Sequence, residues 1–237
     1  MKLRGSVVLQ LAALCLALGA SSFAADNAYL YIVQGIPGYD ISKNLNPGYP
    51  VDILINGDCL VRGLTFSSTS GPLSFAAGTY DVQVSEANSL APCTNTAVIS
   101  SQVMLAATDS TTIAVALDGS GQPALLPFAD NLSPISAGSA RFVFANAADA
   151  PTLEATLTQV GVKNPKTYTV TAAAGAEGAT SVMAGTYLVQ VAASGSTTVL
   201  TSEQIDLTNQ SANFTYAAGE AANNSLGLIN RAVRDVF

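Results

Sequence analysis

Catalysis needs groups that can attack, carry a proton or hold a metal, and this chain offers few of them. Its 237 residues include no histidine. That removes the Ser-His-Asp and Cys-His triads, the usual zinc ligand sets and the commonest general base near neutral pH. A Ser–Lys nucleophile would have to draw on Lys43, Lys163 or Lys166. Each stands beside Asn, Pro or Thr in a loop-like stretch and reads as a solvated surface charge. Paired carboxylates can hydrolyse a glycosidic bond. Asp40, Asp52, Asp58 and Glu154 are available for that, but nothing in their spacing makes them converge. Calcium takes oxygen ligands from acidic turns. Asp58, Asp109 and Asp118 lie at expected turns, without an EF-hand or a dense Asp-Gly repeat. Gly119-Ser120-Gly121 reads as a turn and not as a phosphate loop. The expectation is a protein that is not an enzyme, with no catalytic, cofactor or metal residues; calcium is the one ion left open.

The first residues read as a secretory signal peptide. Lys2 and Arg4 form a short basic start, and residues 7–18 are an apolar run too short to span a bilayer, which takes roughly 20 residues. Ser22-Phe23-Ala24 then supplies an A-x-A-like cleavage site. Cleavage is expected after Ala24, with Ala25 as the alternative. Lipid attachment at Cys15 would need a small residue before it, and Leu14 stands there. Export leaves Cys59 and Cys93 as an even pair in an oxidising space, the setting for a disulfide.

Processing also raises the acidity. The whole chain carries a net charge of −7; removing Lys2 and Arg4 leaves seven basic against sixteen acidic residues. Phosphate backbones and anionic lipid repel such a surface. Nucleic acid is therefore not expected as a partner, and with no later segment apolar enough to span a bilayer, neither is membrane insertion after signal cleavage. The expected location is secreted, periplasmic or cell-surface.

What must position any site is a set of short strands, written twice. AAGTYDVQV (Ala76 to Val84) returns as MAGTYLVQV (Met183 to Val191), 107 residues on. From each tyrosine, every second residue is apolar, the period of a strand with one buried face. Gly78 and Gly185 precede these strands, where a turn with positive φ would favour glycine. The match extends from AVISSQVMLAATDSTTIAVALDG to TVLTSEQIDLTNQSANFTYAAGE, and from AYLYIVQ (Ala28 to Gln34) to ARFVFAN (Ala140 to Asn146). A repeat of roughly a hundred residues is the size of one sandwich domain. The division expected is 1–24 signal peptide, 25–130 first domain, 131–139 linker and 140–237 second domain. In the first domain the strand-like runs cover 28–34, 51–55, 59–65, 72–75, 79–86, 97–105, 110–117 and 122–128, with Asn56-Gly57 as a hairpin signal. The tail LINRAVRDVF has two readings, a helix with Ile229, Val233, Val236 and Phe237 on one face, or a last strand packing across the domain junction.

Strand 28–34 carries the one candidate binding surface. If Leu30 and Ile32 point to the core, as Phe142 and Phe144 do in the repeat, Tyr29 and Tyr31 face outward, near Tyr39 and Tyr49. Such a patch could stack on a sugar or seat a partner protein. The alternative is burial against the second domain or the tail. Sandwich edge strands also pair with other chains, so self-association is a further expectation.

VDILING (Val51 to Gly57), AAGTYDVQV and the strand that opens each half resemble a bacterial family known only as domain of unknown function 4397. FANAADAPTLEATL (Phe144 to Leu157) is similar to the family's first element, in the second half, whereas VDILING resembles its second element and has no visible counterpart there. The resemblance implies an all-β chain of two tandem immunoglobulin-like antiparallel β-sandwiches, exported to the cell envelope or beyond. It brings no catalytic residues with it. The function expected is structural or adhesive, with a glycan- or peptide-binding module on the tyrosine surface as the alternative.

Overall fold

The structure, a computed structural model, describes residues 27–234. The signal peptide with Cys15 and its cleavage site, and Val236 and Phe237 of the tail, lie outside the described residues. These form sixteen strands and one short helix. The first eight strands are β1 (Asn27–Gln34), β2 (Val51–Ile55), β3 (Asp58–Leu64), β4 (Ser68–Ala76), β5 (Gly78–Glu86), β6 (Ala97–Leu105), β7 (Ser110–Leu117) and β8 (Pro123–Ala129), with helix α1 (Gly38–Ile41) between β1 and β2. The next eight are β9 (Ser139–Asp149), β10 (Leu153–Gln159), β11 (Thr167–Ala172), β12 (Glu177–Met183), β13 (Gly185–Ala193), β14 (Val199–Leu207), β15 (Ala212–Glu220) and β16 (Gly227–Val233).

The strands make four sheets of four. In the first half the orders are β3-β2-β5-β6 and β4-β1-β7-β8; in the second they are β11-β10-β13-β14 and β12-β9-β15-β16. Shifting every label by eight turns one pair into the other, so the repeated words reflect a repeated topology. This is not the ABED/CFG strand order of an immunoglobulin constant domain. Here the opening strand of each half sits inside its sheet, antiparallel to β4 and parallel to β7 in the first half, and antiparallel to β12 and parallel to β15 in the second. A strand paired on both sides and covered on both faces must be apolar throughout. Strands β7, β9 and β15 come near this condition along most of their length, and β1 does so only in its second half, from Ile32 on.

The two covered faces take different residues. Leu30, Ile32, Ile113 and Val115 join Val51, Ile53, Val82 and Val84 in the core of the first half. Phe142 and Phe144 join Leu157, Tyr187, Val189 and Val191 in that of the second. The alternate residues, Val33, Ala114, Ala116, Phe128, Val143, Ala145, Ala147, Phe214, Tyr216 and Ala218, form a third cluster in which the two inner sheets meet. The molecule is thus a stack of four sheets, with a core inside each half and a third layer between the halves in which alanines mix with Phe128, Phe214 and Tyr216.

The Gly-Thr-Tyr words do the same job twice. A single residue, Ala77 or Ala184, carries the chain from an inner to an outer sheet. The Tyr80 hydroxyl donates to the Ala76 carbonyl at 2.7 Å, and the Tyr187 hydroxyl to the Met183 carbonyl at 2.9 Å. Gly185 has φ of +156°, whereas Gly78 is not at positive φ, so backbone conformation is not what the two glycines share. At both, an added Cβ would come within 4 Å of the ring of the tyrosine two residues on. The strand VDILING does have a counterpart. Leu153–Gln159 occupies the same place in its sheet as β2, although the sequence there shares only the alternation of apolar residues. The tail is the strand of the second reading, with Ile229 facing the domain junction.

Candidate functional site

Each strand of the first half runs opposite to the one before it, and the second half stands beside the first in the same orientation. All links of one parity therefore gather at one end, the loop end. Gly35, α1, the β5–β6 loop, the turn at 118–122 and the link at 221–226 belong to it. Asn27 and Val233 lie at the opposite end. The two halves touch at the loop end, where the Gly219 N–H donates to the Gly35 carbonyl at 3.1 Å. A side chain at Gly35 would stand 3.1 Å from the Cβ of Ala218, so glycine is what lets the halves approach here. The Ser225 hydroxyl donates to Asp40 at 2.5 Å, and the Asn223 amide reaches the same carboxylate at 3.3 Å. Glu220 bonds the same Asn223, and its carboxyl is pushed up by burial and then by the charges of Asp40 and Asp149.

The loop at this end that carries a disulfide covers residues 87–96, between β5 and β6. Its counterpart in the second half, between β13 and β14, has five residues. Cys59 and Cys93 form a disulfide, with their Cα atoms 5.9 Å apart. Asp52, on β2, turns away from the core yet is buried because the loop lies over it. Its carboxylate accepts N–H bonds from Gly63 at 2.8 Å, Asn88 at 3.1 Å and Cys93 at 2.8 Å. The Asn88 side chain in turn accepts the Leu90 and Ala91 N–H groups, and the Asn95 amide donates to the Glu86 carbonyl. A loop tied this often loses little entropy on binding, and its tip presents Leu90, 96% exposed. Between loop and sheet lies a hollow of about 400 Å³ lined by Pro50, Asp52, Arg62, Gly63, Ala87, Asn88, Ser89 and Pro92. The Arg62 guanidinium makes no hydrogen bond or ion pair to any described residue, so a cation faces an otherwise mostly apolar recess.

The four tyrosines do not form one surface. Tyr49 is buried, its carbonyl held by the Gln34 side-chain amide at 2.8 Å, and burial followed by the Glu86 charge pushes its phenol up. Tyr31 is half-buried beneath the Arg231 guanidinium, 3.9 Å from its ring centre. Tyr29 and Tyr39 are exposed, but Tyr29 sits at the end opposite the loops, near the start of β1, and Tyr39 on α1 at the loop end. The second half, with the tail, covers what a free strand would have shown. The carboxylates are dispersed as well. Asp40 lies at the junction, Asp52 under the loop, Asp58 beside the Asn56-Gly57 hairpin at the opposite end, and Glu154 on β10. Asp118 folds onto its own turn, accepting bonds from Ser120 and Gln122 that hold its carboxyl below the usual range. Asp109 sits in the turn before β7, at the other end. Among the described residues no group of three or more His, Cys, Asp or Glu is placed to hold a metal ion. Lys43, Lys163 and Lys166 are exposed, and Lys166 contacts the sulfur of Met183.

A buried ion pair that the sequence reading did not single out also joins the two halves. Arg231 Nη2 lies 2.6 Å from Asp130 Oδ1. Ser110 and Thr112 donate to the same carboxylate at 2.6 and 2.9 Å, and the guanidinium lies between the rings of Tyr31 and Phe214. The visible signal was a charge at Arg231 in the apolar alternation Ile229, Arg231, Val233. Close to this pair, Glu177 is pushed up to about 7, by burial first and then by the charge of Asp130. By surface area the residue is exposed, and solvent screens part of both effects. The folded protein holds this proton longer than the unfolded chain does. The contribution of this one group to stability is therefore full below pH 4.5 and is lost as pH rises through about 7. Glu177→Gln should remove that part of the decline, raising the melting temperature at pH 8 and leaving it unchanged at pH 4; equal shifts at both pH values would refute the assignment.

Comparison with known proteins gives a family and little more. No curated protein matches the chain. Among solved structures it resembles the TIE protein of Bacillus anthracis, with 9% identity and a TM-score of 0.24, covering 82% of this chain and 32% of that one. The chain thus spans about a third of that protein's length. It also resembles two proteins of Bacteroides ovatus. One is a candidate cell adhesion protein (7% identity, TM-score 0.29, 90% of this chain and 98% of that one), the other a candidate adhesin (12%, 0.25, 89% and 94%). At such scores these likenesses bear on neither fold nor role. The family described as Domain of unknown function (DUF4397) matches residues 28–156, from β1 into β10 and more than half of the chain, and the chain belongs to that family.

Proposed function

We propose that the protein is exported to the cell envelope or the extracellular space, has no enzymatic activity, and has a structural or adhesive role exercised through its loop end. The observation that carries this reading is the loop at 87–96. It is held by a disulfide and by a buried carboxylate, yet it offers an apolar tip and an unpaired cation to the outside. The same hollow favours one narrower reading, a module for peptides or glycans that carry a carboxylate, which Arg62 would pair with in bidentate fashion. Tyr39 shares this end; Tyr29 does not.

The test is to display the chain on a non-adherent cell and measure retention on arrays of matrix proteins, peptides and acidic glycans. Retention should fall at least about tenfold when Leu90→Ser and Arg62→Ser are combined, since both side chains are exposed and their removal leaves folding intact. Retention that is unchanged in the variant, or absent on every surface for the parent, would overturn the reading.

A further inference from the structure

A strand at the rim of a sheet exposes unpaired backbone groups, and proteins blunt such rims with charges, prolines or bulges. Eight of the described strands lie at rims: β3 and β6, β4 and β8, β11 and β14, β12 and β16. Six are blunted. Asp58 and Arg62 lie on β3, Pro72 on β4, Pro123 and Pro127 on β8, Glu177 on β12, Glu203 and Asp206 on β14, and Arg231 on β16. Strand β11 lacks such residues, but it is short and shows mainly threonines, Thr167, Thr169 and Thr171.

Strand β6 stands apart. Its nine residues, AVISSQVML, include no charge, proline or glycine. A single bulge lies beside Val98, and the register is regular from Ile99 to Leu105. On its outer face Val98 is 49% and Met104 77% exposed.

We infer that β6 pairs with β6 of a second copy of this chain, antiparallel about Ser101. The strand is its own complement in that register. Ser100 meets Gln102 of the second copy, Ile99 meets Val103, Ala97 meets Leu105, and the exposed Val98 lies beside the exposed Met104. The backbone has the matching phase. Asp81 directs its N–H and carbonyl to Asn56, on the β2 side. Its β6 partner, Gln102, therefore turns its own N–H and carbonyl away from β5, and so does Ser100. In the proposed register these outward residues face one another, and each Ser100–Gln102 pair exchanges two hydrogen bonds. A shift of one residue would set outward groups against inward ones and lose them. Charge argues for the same place. Two chains of net charge −7 repel at long range, and β6 is a long rim strand without a charge. The contact closes on itself, joining two outer sheets into one continuous sheet and leaving no β6 rim free for a third copy.

The experiment is size-exclusion chromatography with light scattering on the secreted chain at about 100 µM, a concentration that populates a dimer with a Kd of about 10 µM. The expected mass is that of a dimer. Met104→Lys changes an exposed side chain and should weaken the dimer at least about tenfold. Gln102→Pro removes an N–H that points out of the sheet, and should do the same with the melting temperature kept. Ser101→Cys should yield a covalent dimer on a non-reducing gel that reducing agent dissolves, because Ser101 lies on the symmetry axis. A parent that is monomeric at this concentration, or a dimer unmoved by both Met104→Lys and Gln102→Pro, would overturn the inference.

Discussion

Arg231→Met should destabilise the folded protein by about 3–5 kcal/mol, the usual penalty for removing one member of a buried ion pair. The loss is large because of what stays behind. Asp130 would keep its bonds from Ser110 and Thr112 but would have no cation near it, in the junction between two inner sheets. The guanidinium also fills the space between Tyr31 and Phe214, which methionine fills only in part. The pair itself contributes much less than that penalty, since Arg231 Nε and Nη1 have no hydrogen-bond partner. Replacing both members, as Arg231→Met with Asp130→Leu, should therefore recover most of the loss. Urea unfolding followed by fluorescence and circular dichroism measures both effects. The single variant should also broaden or split the transition, because the halves then unfold less cooperatively. A loss below about 1 kcal/mol would show that water reaches the pair and screens it.

The second large effect belongs to the loop over β2. Removing the disulfide by Cys59→Ser with Cys93→Ser frees a loop of 34 residues' separation, which the chain-entropy relation sets at about 4 kcal/mol. Asp52→Ala should cost about 3 kcal/mol, because three N–H groups lose a charged acceptor. The two sets of substitutions act on one loop, since Cys93 is bound both through its sulfur and through its N–H. Their combined cost should fall short of the sum by at least about 1 kcal/mol. Hydrogen exchange at Asn88 and Cys93 follows the same loop directly. Strict additivity would mean that the carboxylate and the disulfide hold separate structures.

The parts of this fold that were legible in the sequence are those set by neighbours along the chain. Alternation at Tyr80, Val82 and Val84 marks a strand because one sheet face is buried, whatever lies beyond it. The hairpin at Asn56-Gly57 and the cysteine pair belong to the same class. The docking face was not legible. Ala114, Ala116, Ala145 and Ala147 alternate with larger core residues, and an alanine looks the same on a solvated face as on a packed one. For that reason the sequence left Tyr31 with two readings, outward-facing or buried against the second domain or the tail; the second is the one found, with Arg231 from two hundred residues further on covering it. The strand order was hidden as well, because the parallel partnership of β1 with β7 leaves no local mark. Of the candidate site, Cys59 and Cys93 were visible, and Arg62 was not. An arginine in a strand acquires meaning only when its lack of a partner can be seen.

The number of strands in each half also determines how copies of this unit can be joined. Eight is even, so the chain leaves β8 at the end where it entered β1, and the segment 130–138 only has to step sideways to start β9. A seven-stranded unit would release the chain at the far end, and repeats of it would string out lengthwise into a rod. Repeats of this unit thicken instead into a slab. Duplication leaves the height unchanged and sets two rows of loops side by side at one level.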